Sequence, residues 1–337
     1  MAVRTGVWGV GVWGEKHARV YHMLPEAELV GVHDRDAART REVAERHACR
    51  AFATPEALLA ACEAVSVAVP TVDHREAVEQ AAAAGRHVLV EKPMALTVGE
   101  ADAMIAAADR AGVTLQVGQV ERFNPALRAA RAHVQEPKFI EAHRLALFQP
   151  RSLDIDVVFD LMIHDLDIVL EAVGRPLASI SAVGVAVLSG NEDIANARLE
   201  FEGGCVANLT ASRVSQDRLR RIRFFQSNAY VAVDLFGKTA EMLRVDPARL
   251  RALGPAPDLA SAAAAFSKEN LPVGDQEPLT LELAAFLRSL PGSGTAAEGA
   301  GAAPARAGRE AVRVAAEVRE AMKRRALQWT GRASGAS

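Results

Sequence analysis

Three glycines follow the first apolar run of the chain at a spacing that suits phosphate binding. The run Val3–Trp8 leads directly into Gly9–Gly14, which reads G-x-G-x-x-G and precedes a helical stretch. Gly9 would allow the tight turn, Gly11 would let a pyrophosphate approach the backbone, and Gly14 would let the helix pack closely on the strand. Such a turn can also be purely structural. With its position in the chain, it predicts a dinucleotide site with contacts from Gly9, Gly11, Val12, Trp13 and Gly14.

An acidic residue twenty positions beyond the last glycine supports the same ligand. Asp34 ends the second apolar run, where a carboxylate can accept hydrogen bonds from the adenosine ribose hydroxyls. Asp34 could instead cap the following helix, although Asp36 suits that role equally well. The neighbouring Arg35 could accommodate a 2′-phosphate, so NADP stays open. We expect NAD, because Asp34 would repel that phosphate.

Two further groups could carry proton chemistry. Glu91 and Lys92 follow the fourth predicted strand, at the end of a parallel sheet where ligands bind, although a loop lysine is commonly just exposed. Asp160 and His164 are four residues apart, which puts them on one face of a helix and lets the carboxylate orient the imidazole. For an isolated D-x-x-x-H, a solvated histidine on an acidic helical turn is the commoner outcome. The adjoining H-D-x-D could suggest a metal, but no further cluster completes a ligand set, so we expect none.

Alternation of apolar runs with helical patterns in the first 120 residues predicts a doubly wound α/β fold with a parallel sheet. Its dinucleotide-binding domain is expected to cover residues 1–121. The predicted strands are Val3–Trp8, Glu28–His33, Ala64–Val69, His87–Val90 and Thr114–Gly118. The predicted helices are Lys16–Met23, Asp36–His47, Pro55–Ala61, Arg75–Ala84 and Val98–Ala111.

After residue 121 the pattern becomes one of successive strands joined by turns, which predicts an α+β domain with a mainly antiparallel sheet over residues 122–330. We expect long loops at Arg251–Pro278 and Pro291–Pro304. The second loop separates the segment Thr280–Leu290 from a charged helix at Ala305–Leu327. The predicted strands are Phe139–Phe148, Ile180–Leu188, Ile194–Phe201, Val206–Ser212, Arg220–Gln226 and Ala229–Leu235.

Composition excludes several classes of protein. The 337 residues include 39 Lys and Arg against 42 Asp and Glu, giving a net charge of -3, so no overall positive field attracts nucleic acid. Half of the residues are apolar, which excludes whole-chain disorder. No segment has the pattern of a signal peptide or a membrane span. The three cysteines lie far apart in sequence, which indicates neither zinc nor disulfides and fits the cytoplasm.

Taken in order, these motifs resemble the Gfo/Idh/MocA oxidoreductase family. The segments that carry the resemblance are the glycine turn with its helix, residues 67–97 ending in Glu-Lys-Pro-Met-Ala-Leu-Thr, and residues 156–170 with Asp160 and His164. The resemblance implies a Rossmann domain followed by an open-faced antiparallel sheet that commonly forms homodimers or homotetramers. Substrates of this family are usually sugars, nucleotide sugars or cyclitols.

By this resemblance, Lys92, Asp160 and His164 occupy the catalytic positions of the family. Pro70, Thr71 and His74 match the turn beside the cofactor, with Val69 at its leading position. Lys92 and His164 would also contact the substrate.

A narrower similarity joins residues 116–125 and 151–170 to bacterial UDP-N-acetylglucosamine 3-dehydrogenases of lipid A synthesis. Gln119 stands where we expect histidine in those relatives. Arg122 and Asn124 are candidate ligands of the sugar or the cofactor, although Asn124 and Pro125 could simply begin a helix.

We therefore expect an NAD-dependent dehydrogenase that transfers hydride from a secondary alcohol of a sugar, with C3 of UDP-N-acetylglucosamine as the preferred position. His164 is the expected base, Asp160 would align it, and Lys92 would stabilise charge on the reacting oxygen, although Lys92 and His164 could exchange roles. A cyclitol or free-sugar dehydrogenase is the alternative within enzymes. A non-catalytic NAD-binding sensor or scaffold is the alternative from another class.

Overall fold

The computed structural model describes residues 2–149, 155–253, 265–291 and 303–333. The chain divides into two compact units, the first formed by Met1–Phe123 with Gln276–Arg313 and the second by Asn124–Asp275 with Val314–Ser337. This division differs from the predicted continuous domains, because the segment beginning at Gln276 returns to the first unit. The start of the 151–170 segment and most of the predicted loop 291–304 lie outside the described residues.

The first unit contains the predicted parallel sheet. Strand order is β3-β2-β1-β4-β5-β6, with the short strand Ala303–Pro304 antiparallel to β6. This order is that of a doubly wound dinucleotide-binding fold. Each predicted strand is present with its ends within two residues. The strands are β1 (Val3–Trp8), β2 (Ala27–His33), β3 (Arg50–Ala51), β4 (Ala64–Val67), β5 (His87–Glu91) and β6 (Leu115–Gly118).

Five helices follow the strands of the first unit. The predicted start of the first helix at Lys16 is wrong, because the helix begins at Val12, inside the glycine turn. Asp36 caps the second helix by accepting hydrogen bonds from the backbone N–H of Ala38 and Arg39. The helices are α1 (Val12–Met23), α2 (Ala37–Arg46), α3 (Pro55–Ala61), α4 (His74–Ala83) and α5 (Val98–Ala111).

A late helix completes the core of the first unit. Pro278–Arg288 is helical and buries Leu283 and Phe286 against residues of the first strand and helix, including Val7 and Tyr21. Removing this apolar surface from water explains why the segment belongs with the first unit although it lies so far along the chain.

The second unit contains an eight-stranded sheet in the order β14-β13-β12-β11-β7-β10-β9-β8. Among the described strand pairs of this sheet, β7 and β10 are parallel and the others are antiparallel. The strands are β7 (Phe139–Leu145), β8 (Leu177–Val185), β9 (Ile194–Phe201), β10 (Val206–Ser212), β11 (Leu219–Phe225), β12 (Ala229–Asp234), β13 (Thr239–Val245) and β14 (Phe266–Asn270).

The strands β13 and β14 and the short helix Pro247–Ala252 were not predicted, whereas the helix Pro125–Arg131 is the one that the alternative for Asn124 and Pro125 allowed. The predicted loop Arg251–Pro278 is wrong in part, because β14 lies within it and pairs with β13, while its residues 254–264 lie outside the described residues. All five residues of β14 are exposed, so this edge strand lacks the apolar alternation that reveals a strand in sequence. The helices that follow α5 along the chain are α6 (Pro125–Arg131), α7 (Ile163–Val173), α8 (Pro247–Ala252), α9 (Pro278–Arg288) and α10 (Ala305–Ala333). Of these, α9 belongs to the first unit, and the residues of α10 from Val314 onward belong to the second.

A buried carboxylate fixes the loop between β8 and β9. Asp193 accepts hydrogen bonds from the backbone N–H groups of Val187, Leu188 and Ser189 at 2.6–2.9 Å and from the Ser189 hydroxyl at 2.6 Å. The backbone groups bind Oδ2, while the Ser189 hydroxyl binds Oδ1, from which Arg213 Nε lies 3.7 Å away. Burial alone would raise the pKa of Asp193, but these hydrogen bonds outweigh it and hold that pKa well below its usual range.

We expect Asp193→Asn to lower the free energy of unfolding by about 3 kcal/mol at neutral pH, because it removes the negative charge that lies beside the buried Arg213. Since the folded-state pKa is depressed, this stabilisation is present above the unfolded pKa of about 3.9 and is lost as the pH falls. Urea unfolding at several pH values measures it. The exposed helix cap Asp246, changed to Asn as a control, should cost about 1 kcal/mol or less. Equal losses in the two variants would contradict the role of Asp193.

Candidate active site

The glycine turn of the first unit has the geometry that its sequence predicts. Gly9 has a φ of +89°, and a Cβ there would lie 2.6 Å from the backbone N of Val69. A Cβ on Gly14 would lie 1.8 Å from the carbonyl oxygen of Gly9. At Gly11, by contrast, an added Cβ would meet no described atom within 4 Å. Gly9 and Gly14 are therefore needed by the fold, and Gly11 leaves open space at the start of α1.

This open space belongs to a cleft of about 600 Å³ at the ends of the strands. A cleft at this edge, beside a helix N-terminus, is where a doubly wound sheet binds a dinucleotide. The position of the cleft and the open space at Gly11 therefore fit a nicotinamide dinucleotide. The residues predicted as cofactor contacts that line it are Gly9, Gly11, Val12, Trp13, Asp34, Arg35 and Pro70.

Asp34 has a structural task beyond the one that its sequence position suggests. Its Oδ2 accepts a hydrogen bond of 2.7 Å from Val10 N, and its Oδ1 accepts one of 3.0 Å from Asp36 N. These bonds tie the glycine turn to the end of β2. Because Asp36 caps α2, the capping alternative for Asp34 is wrong. An ionised carboxylate has about four acceptor sites, so Asp34 retains acceptor capacity towards ribose hydroxyls.

His74 is buried, with 1% of its surface exposed. Its Nε2 lies 3.0 Å from the carbonyl oxygen of Val69, and its Nδ1 lies 3.1 Å from that of Pro93. Burial lowers the pKa of His74. His74 thus holds two segments of the first unit together, and the described residues that line the cleft do not include it. Thr71, from the same predicted turn, begins the short 3-10 helix Thr71–Asp73.

Glu91 is the end of a buried polar chain that sequence analysis missed. Its Oε1 lies 2.8 Å from His17 Nε2, and His17 Nδ1 lies 3.0 Å from Ser66 Oγ. Ser66 Oγ is in turn 2.8 Å from the hydroxyl of Tyr21, whose pKa is raised by burial. The position of His17 three residues after Gly14, on the buried face of α1, is the signal that could have revealed it.

The buried polar chain that ends at Glu91 reaches the backbone of the predicted catalytic lysine, Lys92. Lys92 N donates a hydrogen bond of 3.2 Å to Glu91 Oε2, and Lys92 is partly buried. The sequence predicts Glu91 as a cofactor contact, whereas the structure shows its carboxylate bonded to His17 and to the Lys92 backbone. The described geometry therefore supports Glu91 as a residue that positions Lys92.

In the second unit, Asp160 and His164 lie at a change of helical type. Val158–Met162 forms a π-helical turn, and α7 continues from Ile163. Asp156 Oδ1 accepts hydrogen bonds from the N–H groups of Val158 and Phe159 and so fixes the start of this turn. The prediction of one regular helix was therefore incomplete. Single π-helical turns are frequent at functional sites because they displace side chains from the regular spacing.

Asp165, the neighbour of His164, is committed to an ion pair. Arg144 Nε and Nη2 lie 3.0 and 2.8 Å from its two oxygens, and both residues are buried. This pair joins β7 to α7, so Asp165 serves the fold. Within the described ranges, no three His, Cys, Asp or Glu residues are grouped so that they could hold a metal ion.

Asn124 has the structural role that its neighbour Pro125 suggested. Its Oδ1 accepts a hydrogen bond from Ala126 N, which caps α6, and its Nδ2 donates one of 2.9 Å to the carbonyl of Leu235. Asn124 is 5% exposed. These contacts support the helix-start alternative rather than a ligand role. Arg122, in the short helix Val120–Phe123, is buried as well.

Comparison with known proteins decides the family. Residues 3–119 match the GFO_IDH_MocA oxidoreductase family with its NAD-binding Rossmann fold, and residues 126–232 match the GFO/IDH/MocA C-terminal domain. The chain is 45% identical over 238 residues to the UDP-N-acetylglucosamine 3-dehydrogenase of Acidithiobacillus ferrooxidans, covering 70% of this chain and 75% of the relative. The chain belongs to the Gfo/Idh/MocA family.

Other members are similar over comparable lengths. The solved structure of the UDP-N-acetylglucosamine 3-dehydrogenase GnnA from Acidithiobacillus ferrooxidans has a TM-score of 0.84 at 38% identity, covering 95% of this chain and 98% of that one. The myo-inositol 2-dehydrogenase of Thermotoga maritima is 28% identical over 72% of this chain and 78% of its own length. These findings confirm the predicted family, the Rossmann fold and the class of CH-OH oxidoreductase. No described helix is long and apolar enough to cross a membrane.

For this Gfo/Idh/MocA protein we expect Gly11→Val to weaken binding of NADH about tenfold or more while leaving the thermal midpoint unchanged. The new side chain would fill the space that a pyrophosphate needs, and its Cβ meets no described protein atom. Cofactor fluorescence measures the affinity.

Gly99→Ala serves as the control, because that helical glycine also has open space around it and does not line the cleft. Unchanged NADH affinity in Gly11→Val would show that the cofactor does not use the glycine turn.

Proposed function

We propose that the protein is an NAD-dependent dehydrogenase that oxidises the 3-hydroxyl of UDP-N-acetylglucosamine to a ketone. The observation that carries this proposal is the similarity to UDP-N-acetylglucosamine 3-dehydrogenase, which covers 70% of this chain in sequence and 95% of it in structure. A 3-keto nucleotide sugar is the substrate class that an amino-group transfer consumes, in keeping with the expected role in lipid A synthesis.

The proposed chemistry removes two hydrogens from one carbon–oxygen pair. Bound NAD would supply the hydride acceptor. His164 takes the hydroxyl proton, and Asp160 aligns the imidazole and stabilises it when charged. Lys92 donates a hydrogen bond to the substrate oxygen as negative charge develops on it. The carbonyl forms as the C–H and O–H bonds break, and the exchange of roles between Lys92 and His164 is the alternative within this scheme.

The preference for NAD over NADP is part of the proposal. Asp34 lines the cleft with an acidic group, which favours ribose hydroxyls and disfavours a 2′-phosphate. Arg35 is exposed and lines the same cleft, so NADP use is the alternative that the assay must measure.

Turnover with a panel of substrates tests the function. With NAD, we expect the absorbance of reduced cofactor to rise with UDP-N-acetylglucosamine, and much less with NADP or with myo-inositol and free N-acetylglucosamine. Preference for myo-inositol would favour the cyclitol alternative, which the similarity to myo-inositol 2-dehydrogenase supports. Absence of turnover with the whole panel, with NADH still bound, would favour a non-catalytic sensor.

The role of Lys92 is tested by Lys92→Met. We expect kcat to fall about a hundredfold or more while NAD affinity stays within about twofold, since the lost group acts on the reacting oxygen. Lys138→Met is the control, because it removes the same charge from an exposed position of the second unit. Normal turnover in Lys92→Met would remove this residue from the chemistry.

We also propose that the chain forms a homodimer or homotetramer through the open face of the second sheet. Phe139, Phe225 and Tyr230 alternate along their strands with buried residues, so they lie on the opposite face of the sheet. The ring centroid of Phe225 is 5.5 Å from that of Phe139 and 5.0 Å from that of Tyr230. An aromatic group on a partly exposed sheet face is suited to self-association.

Phe225→Glu should therefore shift the mass measured by light scattering towards that of a monomer. The exposed Arg175→Glu, which lies outside this sheet, should not change the mass. A wild-type monomer, or an unchanged oligomer in Phe225→Glu, would contradict the proposal.

A further inference from the structure

A small cavity in the second unit, separate from the cofactor cleft, is lined by three arginines. The cavity has a volume of about 150 Å³ and is lined in part by Arg213, Arg218, Arg220, Asp160 and Phe236. Among the described residues that line it, three are arginines and one, Asp160, is acidic. Arginine remains charged at any physiological pH, so such a cavity attracts an anion.

The three guanidinium groups differ in how firmly they are held. Arg213 is 4% exposed, and its Nη2 donates a hydrogen bond of 2.6 Å to the carbonyl of Ile155. Asp193, described above as a buried carboxylate, balances its charge. Arg218 and Arg220 are exposed residues before and within β11. An anchored guanidinium therefore lies beside two arginines that are exposed to solvent.

Strand register explains why Arg220 reaches this cavity. Side chains alternate along β11, and Ile222 and Phe224 are both fully buried. Arg220 shares their side of the sheet, at the end of the strand where the π-helical turn carries Asp160. Arg221 points to the opposite face, where its Nη2 lies 3.5 Å from Asp234.

An aromatic ring completes the wall. Phe236 is 55% exposed, so its ring is accessible from solvent. Asp234 Oδ1 accepts hydrogen bonds from the N–H groups of Phe236 and Gly237, which fix the turn that presents the ring. A flat apolar surface beside guanidinium groups suits a ligand that joins a nucleobase to phosphates, because bases stack on aromatic rings.

We propose that this cavity binds the diphosphate of a nucleotide-sugar substrate, with Arg218 and Arg220 holding the phosphate oxygens beside the anchored Arg213. The inference rests on the proposed function and gives its substrate specificity a physical basis. The planar fork of arginine matches two phosphate oxygens at once. Because Asp160 lines the same cavity, the anion would be held next to the segment that is proposed to work on the sugar. A neutral cyclitol would gain nothing from these arginines.

Calorimetric titration of UDP into the protein saturated with NADH tests the inference, since the bound cofactor prevents UDP from entering the cofactor cleft. We expect Arg218→Gln combined with Arg220→Gln to weaken UDP binding about tenfold or more, because two charge-assisted hydrogen-bonding groups are lost. Binding of uridine, which has no phosphate, should be weak and equal in both proteins. Arg218→Lys with Arg220→Lys should recover part of the affinity, because the charge remains and the fork is lost.

Arg198→Gln is the control, with the same chemical change at an exposed arginine of β9 that pairs with Glu200 and does not line the cavity. Its UDP affinity should stay within about twofold of the wild type, which separates a local site from a general effect of charge. Equal UDP affinity in the double glutamine variant and the wild type would overturn the inference, as would the absence of UDP binding to the wild type.

The experiment distinguishes this failure from failure of the proposed function. If UDP binds through Arg218 and Arg220 but UDP-N-acetylglucosamine is not oxidised, the anion site stands and the assigned sugar is wrong. If UDP-N-acetylglucosamine is oxidised and its KM is unchanged in the double glutamine variant, the function stands and the diphosphate site is wrong.

Discussion

The close approach of the first helix to the end of the first strand is the constraint on which the first unit depends. At Gly14 the helix lies so near the carbonyl of Gly9 that no side chain fits between them. This approach sets the position of α1, from which His17 and Tyr21 extend into the buried polar chain with Ser66 and Glu91. The same packing therefore shapes the glycine turn and determines how the residue before Lys92 is held.

The second unit uses buried charge in a comparable way. Arg144 is joined to Asp165 by two hydrogen bonds, whereas Arg213 lies 3.7 Å from Asp193 and each of these two is held by hydrogen bonds to other groups, the Ile155 carbonyl and Ser189. Each pair fixes a segment next to a proposed functional residue: the first lies beside His164 in sequence, and the second anchors one wall of the arginine-lined cavity. Specific positioning is the function that such pairs serve best, since an apolar pair would pack without directing its neighbours.

Much of this architecture was predictable, because the strands and glycines of a doubly wound sheet are local patterns. Val3–Trp8 and Gly9–Gly14 carry their structure within a dozen residues, and the predicted glycine roles at Gly9 and Gly14 match the geometry. His17 with Glu91 could not be paired from sequence, since their meeting depends on tertiary packing across 74 positions. The π-helical turn around Asp160 escaped prediction because apolar spacing does not distinguish it from a regular helix.

The discontinuous construction of the first unit has a consequence for synthesis of the protein. The helix Pro278–Arg288, which covers the apolar surface around Val7 and Tyr21, leaves the ribosome only after the second unit's sheet has been made. Part of the core of the first unit therefore stays exposed until a segment more than a hundred and fifty residues later has been translated. Chaperone protection during that interval would matter more for this half of the molecule than for a domain encoded without interruption.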